Sequence, residues 1–297
     1  MMKSKLFLRN SVKRGLLLNI CIIVFLTSGC TSSTTPTYLR EDISEAIEDI
    51  CKNEYRIEIR VKLVGETLWI YIPVEDILVA SDKPEKYIEK FEISENQGNF
   101  IAGQFRFDYQ IKSIPDEEKV QEYKYNKSVL EKVNNVWKVL RRVIFSMERK
   151  EDTEPRFFCV ITADIKNGIE LKDMFYYLDL KKVSYEFISW TEYQHRNIQK
   201  VDLVPEAIGD KEGLHIDYKN IDFEEFIANQ IRHRIKLKFQ KPEVEKNADI
   251  DKEILKIVVY TLKTYGFKDF SAVELNNLLT QNKIILNQAA VWARPVE

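Results

Sequence analysis

The sequence predicts an α+β protein in which antiparallel β-hairpins pack against amphipathic helices. Apolar residues recur at helical spacing in some stretches and at period two in others, and the two kinds mix irregularly. Strict strand–helix–strand alternation is missing, which makes a parallel Rossmann-like sheet the weaker reading. Hydrophobic residues form 44% of the chain, enough to build a packed core rather than a disordered one.

The chain opens on Lys3, Lys5, Arg9, Lys13 and Arg14, with no acid before residue 41. An apolar run follows, Leu16 to Leu26, broken only by Asn19. As a helix it would reach about 16 Å, roughly half a bilayer core, which is too short to span but suits a signal-peptide h-region. Small residues come next, and then Cys30. The stretch Leu26-Thr27-Ser28-Gly29-Cys30 resembles the lipobox of bacterial lipoprotein precursors. That resemblance implies cleavage before Cys30, acylation of its thiol, and a protein anchored by lipid to the cell envelope, facing the periplasm or exterior. Thr31 rather than Asp after the cysteine implies outer-membrane sorting in a Gram-negative host. An uncleaved anchor helix or an ordinary secretory signal is the alternative. On the first reading, residues 1–29 are the signal peptide and 30–38 the lipidated cysteine and a polar tether.

Removing residues 1–29 takes away five bases and no acids, leaving 40 Lys+Arg against 47 Asp+Glu and a formal charge of −7. An acidic surface argues against nucleic acid as a partner, because phosphate contacts need bases. Of the four cysteines, Cys51 and Cys159 remain after the signal and Cys30 are set aside. An oxidising envelope permits them to pair, but both sit in apolar patterns that suit buried free thiols.

From Leu39, apolar residues at 39, 43, 46, 47 and 50 predict an amphipathic helix with an acidic outer face. "YRIEIRVKLVGETLWIYIPVED" (55–76) alternates and breaks at Gly65-Glu66, predicting a hairpin with one buried face. "NFIAGQFRFDYQIKSI" (99–114) reads as a strand ending at Pro115, followed by a helix over 117–147 with Leu130, Val133, Trp137, Leu140 and Ile144 on one stripe. "RKEDTEP" (149–155) is the most polar gap, dividing an α+β domain (39–148) from a second one or a continuation of the first (149–297). Beyond it come a strand (156–165), a turn at Asn167-Gly168, and a helix from Leu171 to Lys182. Residues 223–240 read as a helix whose end fits a strand equally well. Residues 249–267 form a clear helix, capped by Asp249 or Asp251 and ended at Gly266. Strands at 270–275 and 283–293 close the chain.

Chemistry is sparse in this pattern. "GNFIAGQF" has two glycines at phosphate-loop spacing, yet Gln104 stands where a lysine is required. No dinucleotide fingerprint or nucleophile elbow occurs. His195, His215 and His233 share no helical ligand spacing, so neither metal nor cofactor is assigned. In "SWTEYQHRN" (189–197), Glu192, His195 and Arg196 could serve as base, acid and anion clamp, or simply face water while Trp190 and Tyr193 pack. Arg232, Arg234, Lys236 and Lys238 reverse the local charge and are candidates for contacting an anionic surface, sharing one face if 232–239 is a strand. The sequence therefore predicts an envelope interaction or assembly protein without a catalytic site, reaching the membrane through its lipid and contacting an envelope partner. The alternatives are a hydrolase centred on 189–196 and a small-ligand-binding lipoprotein.

Overall fold

The structure, a computed structural model, describes residues 38–147, 155–240 and 244–295. The lipobox-like stretch and Cys30 lie outside the described residues, as does nearly all of the 149–155 gap. The fold is α+β, as the sequence predicts. In chain order the elements are α1 (Ile43–Tyr55), β1 (Arg60–Val64), β2 (Thr67–Val74), β3 (Leu78–Ile101), β4 (Gln104–Tyr125), α2 (Lys127–Phe145), β5 (Phe157–Asp164), β6 (Ile169–Tyr176), α3 (Tyr177–Ser184), α4 (Trp190–Arg196), β7 (Ile198–Leu203), α5 (Phe223–Gln240), α6 (Ile250–Tyr265), β8 (Ala272–Asn277), β9 (Asn282–Asn287) and α7 (Gln288–Ala293).

Two sheets result, with strand orders β1-β2-β5-β6-β7 and β3-β4-β8-β9. Each is built from antiparallel units joined by one parallel pairing, β2 with β5 and β4 with β8. Both sheets therefore take strands from either side of residues 149–155. Alternation sorts the side chains of the first sheet. Leu68, Ile70, Ile72, Phe158 and Val160 meet α1, α2 and α3, while Trp69, Tyr71, Phe157, Cys159 and Ile161 point the other way. That second face joins α5, α6 and the inner face of the second sheet in a continuous core. The layers thus run α1/α2, first sheet, α5/α6, second sheet.

Several boundaries differ from the sequence reading for identifiable reasons. β2 is buried on both faces rather than one, because it is central and has helices on each side. The 99–114 strand is two strands meeting at Ala102-Gly103, with Gly103 at φ +77°. β4 then continues through Pro115 to Tyr125, so the next helix starts at Lys127 instead of 117. The proline survives because residues 114–116 bulge opposite Lys90, between the pairs Glu89↔Glu117 and Phe91↔Ser113. α2 buries Val129, Val136, Leu140 and Ile144, turning Leu130 outward from the anticipated stripe. Residues 169–176 form β6 against β5, which delays the expected Leu171 helix to Tyr177. Strand 283–293 stops at Asn287, whose side chain accepts the Ala290 N–H at 2.8 Å and starts α7.

Cap chemistry holds where it was legible. Asp249 accepts the Lys252 N–H at 3.1 Å, and Gly266 ends α6 at φ +63°. Asp251 instead receives Tyr109, Asn277 and Asn282, tying α6 to the second sheet. Cys51 and Cys159 are free and buried in different cores on opposite faces of the first sheet, which corrects the pairing alternative. Burial pushes the Cys51 thiol up to about 12 and the Cys159 thiol still further, so both behave as small hydrophobes.

Candidate functional site

α5 remains helical to Gln240, which corrects the strand alternative for the basic stretch. At 100° per residue, Arg232 and Lys236 share one side of the helix, and Arg234 and Lys238 share another. The second pair is engaged internally. Arg234 lies 3.5 Å from Glu192 and over the Tyr260 ring at 4.9 Å, while Lys238 meets Glu253 at 3.0 Å. The first pair opens onto a groove of about 660 Å³ between β3, the β6–β7 edge and α5.

Lys172 and Lys200 reach the groove from the first sheet and Arg232 and Lys236 from the helix, over an apolar floor of Phe91, Ile93, Met174 and Ile198. Its carboxylates are Glu89 and Glu95, so the cations outnumber the acids four to two. Outside the lining, Lys119 lies 3.7 Å from Glu89, while Lys200 pairs with Asp202 at 2.9 Å and Lys172 lies 4.0 Å from Glu170, so Arg232 and Lys236 carry most of the excess. His233, buried in the wall, stays neutral: burial, then Arg234, Lys236 and His195, lower its pKa to about 4.

Backbone geometry holds the arginine in place. Arg232 Nε donates to the Asn96 carbonyl at 2.9 Å, and the Asn96 amide donates back to the Arg232 carbonyl at 2.9 Å. Gly98 makes this approach possible, since a Cβ there would lie 2.5 Å from the Phe107 ring and 3.1 Å from Arg232 Cδ. Asn96 Oδ1 is buried behind this wall with no hydrogen-bond partner among the described residues.

The 189–197 cluster folds into a different arrangement. Ser189 caps α4 by accepting the Glu192 N–H at 3.0 Å. Glu192 receives Arg196 at 2.8 Å and Tyr260 at 3.1 Å, with Arg234 beyond. Burial would raise its pKa, but these partners together hold the carboxylate below its usual range. Arg196 also donates to the fully buried Asp179 at 2.7 Å, which accepts Tyr265 OH at 2.9 Å. A carboxylate held ionised by two guanidinium groups is a weak base and a good structural anchor. Trp190 is exposed, whereas Tyr193 packs inside.

Sequence reasoning missed a third cluster. His215 Nδ1 lies 2.5 Å from Asp210, and Nε2 lies 2.7 Å from Glu170 on β6. Asp210 also accepts the backbone N–H groups of Glu212, Gly213 and His215 at 2.8–3.1 Å. Two flanking carboxylates favour a ring that donates from both nitrogens, the imidazolium form. Burial opposes that charge, but the two carboxylates prevail and raise the His215 pKa. "GDKEGLH" carries the composition of an Asx turn, a local signal for Asp210. Glu170, 45 residues away, has none.

A raised folded pKa gives stability that is present below the ordinary histidine value and is lost as pH rises through the folded one. Wild type should therefore exceed His215→Gln in urea midpoint at pH 6 by more than at pH 9. A gap that stays constant between those pH values would show that His215 is not charged in the fold.

Among the described residues no group of three or more His, Cys, Asp or Glu side chains is arranged to hold a metal ion. Compared with known proteins, the chain matches no family model, no curated protein and no solved structure.

Proposed function

We propose that this protein is a lipid-anchored interaction protein of the bacterial cell envelope, working by binding an anionic group in the groove rather than by catalysis. The observation that carries this reading is the convergence of Lys172, Lys200, Arg232 and Lys236 over an apolar floor in a protein of acidic balance. Such a site favours a negatively charged, partly apolar segment of a partner, steered by long-range attraction that salt weakens. The lipobox-like stretch supports the anchored setting, and the envelope is where such a partner would be met.

A second reading is capture of a small anionic ligand, favoured by the groove's size, about 660 Å³, which lies within the roughly 300–1,000 Å³ of small-molecule pockets.

A photoreactive residue placed at Gln97, on the groove rim, tests both readings in growing cells. A discrete protein adduct is expected, and its yield should fall about tenfold when Lys200→Glu and Lys236→Glu are combined, at up to ~1 kcal/mol for each exposed charge. An adduct that persists through both reversals would remove groove charge as the recognition element. A groove that yields no adduct would favour the small-ligand reading.

A further inference from the structure

The face formed by α3 and the turn after it gathers exposed aromatic rings beside two lysines. Tyr185, Phe187 and Trp190 are 60%, 79% and 60% exposed within six residues. Leu178, Lys181, Lys182 and Tyr185 recur at i, i+3, i+4 and i+7, forming a single outer stripe on α3. With Ile188 they line an open bowl of about 670 Å³.

The turn presents these rings on a closed backbone. Tyr185 N–H donates to the Lys181 carbonyl at 3.0 Å and Phe187 N–H to the Lys182 carbonyl at 2.8 Å. Glu186 sits between them at φ +61°, the left-handed position that ends helices in this way. Ser189 then caps α4. The rings are thus held outward by hydrogen-bonded geometry and stand as a cluster rather than singly.

Its chemistry is that of a bilayer interface. Amphipathic Tyr and Trp rings favour the headgroup level, and lysines beside them complement anionic lipid. Lys181 and Lys182 rim the bowl. Glu186 is the one opposing charge on the turn itself.

Position selects the membrane as occupant. Tyr38, eight residues beyond Cys30, pairs with Met147, and its N–H donates to the Ser146 carbonyl at 3.4 Å. The Phe145 ring, one residue earlier, lies 6.2 Å from the Tyr185 ring. Eight residues span at most about 28 Å, so an acylated Cys30 would hold this end of the body beside the bilayer.

We infer that the α3 stripe and the 185–190 turn form a membrane-contact face, seating Tyr185, Phe187 and Trp190 among anionic headgroups and so orienting the groove relative to the bilayer. This rests on the Cys30 anchor proposed above.

The test uses the full chain purified from membranes and reconstituted into vesicles of phosphatidylglycerol and phosphatidylcholine carrying brominated acyl chains. Bromine should quench wild-type tryptophan fluorescence, and Trp190→Phe should reduce the quenched signal at least threefold. Lys181→Glu with Lys182→Glu should lower quenching and remove its dependence on salt. Equal quenching in wild type and Trp190→Phe would overturn the inference. Acylation of Cys30, read separately by mass spectrometry, distinguishes the remaining outcomes. An acylated chain without quenching overturns the face and leaves the anchor standing, whereas a chain neither acylated nor quenched overturns both.

Discussion

Arg196→Met is expected to destabilise the fold by about 3–5 kcal/mol, the cost of leaving a buried charge without its partner. Asp179 is fully buried, and the Arg196 side chain opposite it is 9% exposed. Methionine fills comparable space but offers no donor, leaving Asp179 with the Tyr265 hydroxyl as its side-chain donor among the described residues. Glu192 loses its nearest cation in the same change. The network joins α3, α4, α5 and α6, so the damage reaches the contact between the first sheet and the inner helices. Urea denaturation measures the loss directly. Adding Asp179→Leu removes the orphaned charge as well and should recover most of the stability, since an apolar pair of similar volume is often neutral. A single-variant cost below about 1 kcal/mol would mean that water, rather than protein, solvates Asp179.

Cys30→Ala is expected to move the protein from the membrane fraction to the soluble fraction. Several acyl chains, at about 0.8 kcal/mol per buried CH₂, give stable anchoring that a protein surface of a few aromatic and basic side chains does not match. No described helix is long and apolar enough to cross a membrane and take over that role. Fractionation in low and high salt checks the outcome. Release at both salts supports the anchor, whereas a variant that still pellets in high salt would place the membrane attachment elsewhere.

What could be read in the sequence was local. Period two in 55–76 predicts strands because a pleat alternates its side chains, and the unbroken apolar run in 156–165 suits a strand buried on both faces. The α6 helix was legible from its apolar stripe, its Asp249 cap and Gly266, each acting within a few residues. Asn167-Gly168 marked the β5–β6 turn in the same way, with Gly168 at φ +68°. The class followed, because mixed hairpins and amphipathic helices must cover one another's apolar faces.

Tertiary structure decided the rest. Residues 78–101 and 117–125 are rich in Lys and Glu and show no clean period, yet they form strands because each supplies the other's backbone partners. Nothing local records that pairing. The basic stretch could not be resolved into a groove pair and an internal pair until the helix continued to Gln240 and brought Glu192, Tyr260 and Glu253 to one side. The groove itself assembles residues 89–97, 172–200 and 229–240. His215 waits on Glu170 and Asp210 for its charge in the same way. The sequence by itself determined the strands in 55–76 and 156–165 and the helix over 249–267, because those preferences act through neighbouring peptide units. The partners of each charge were left to the fold, because attraction between side chains depends on distance in space and not on separation along the chain.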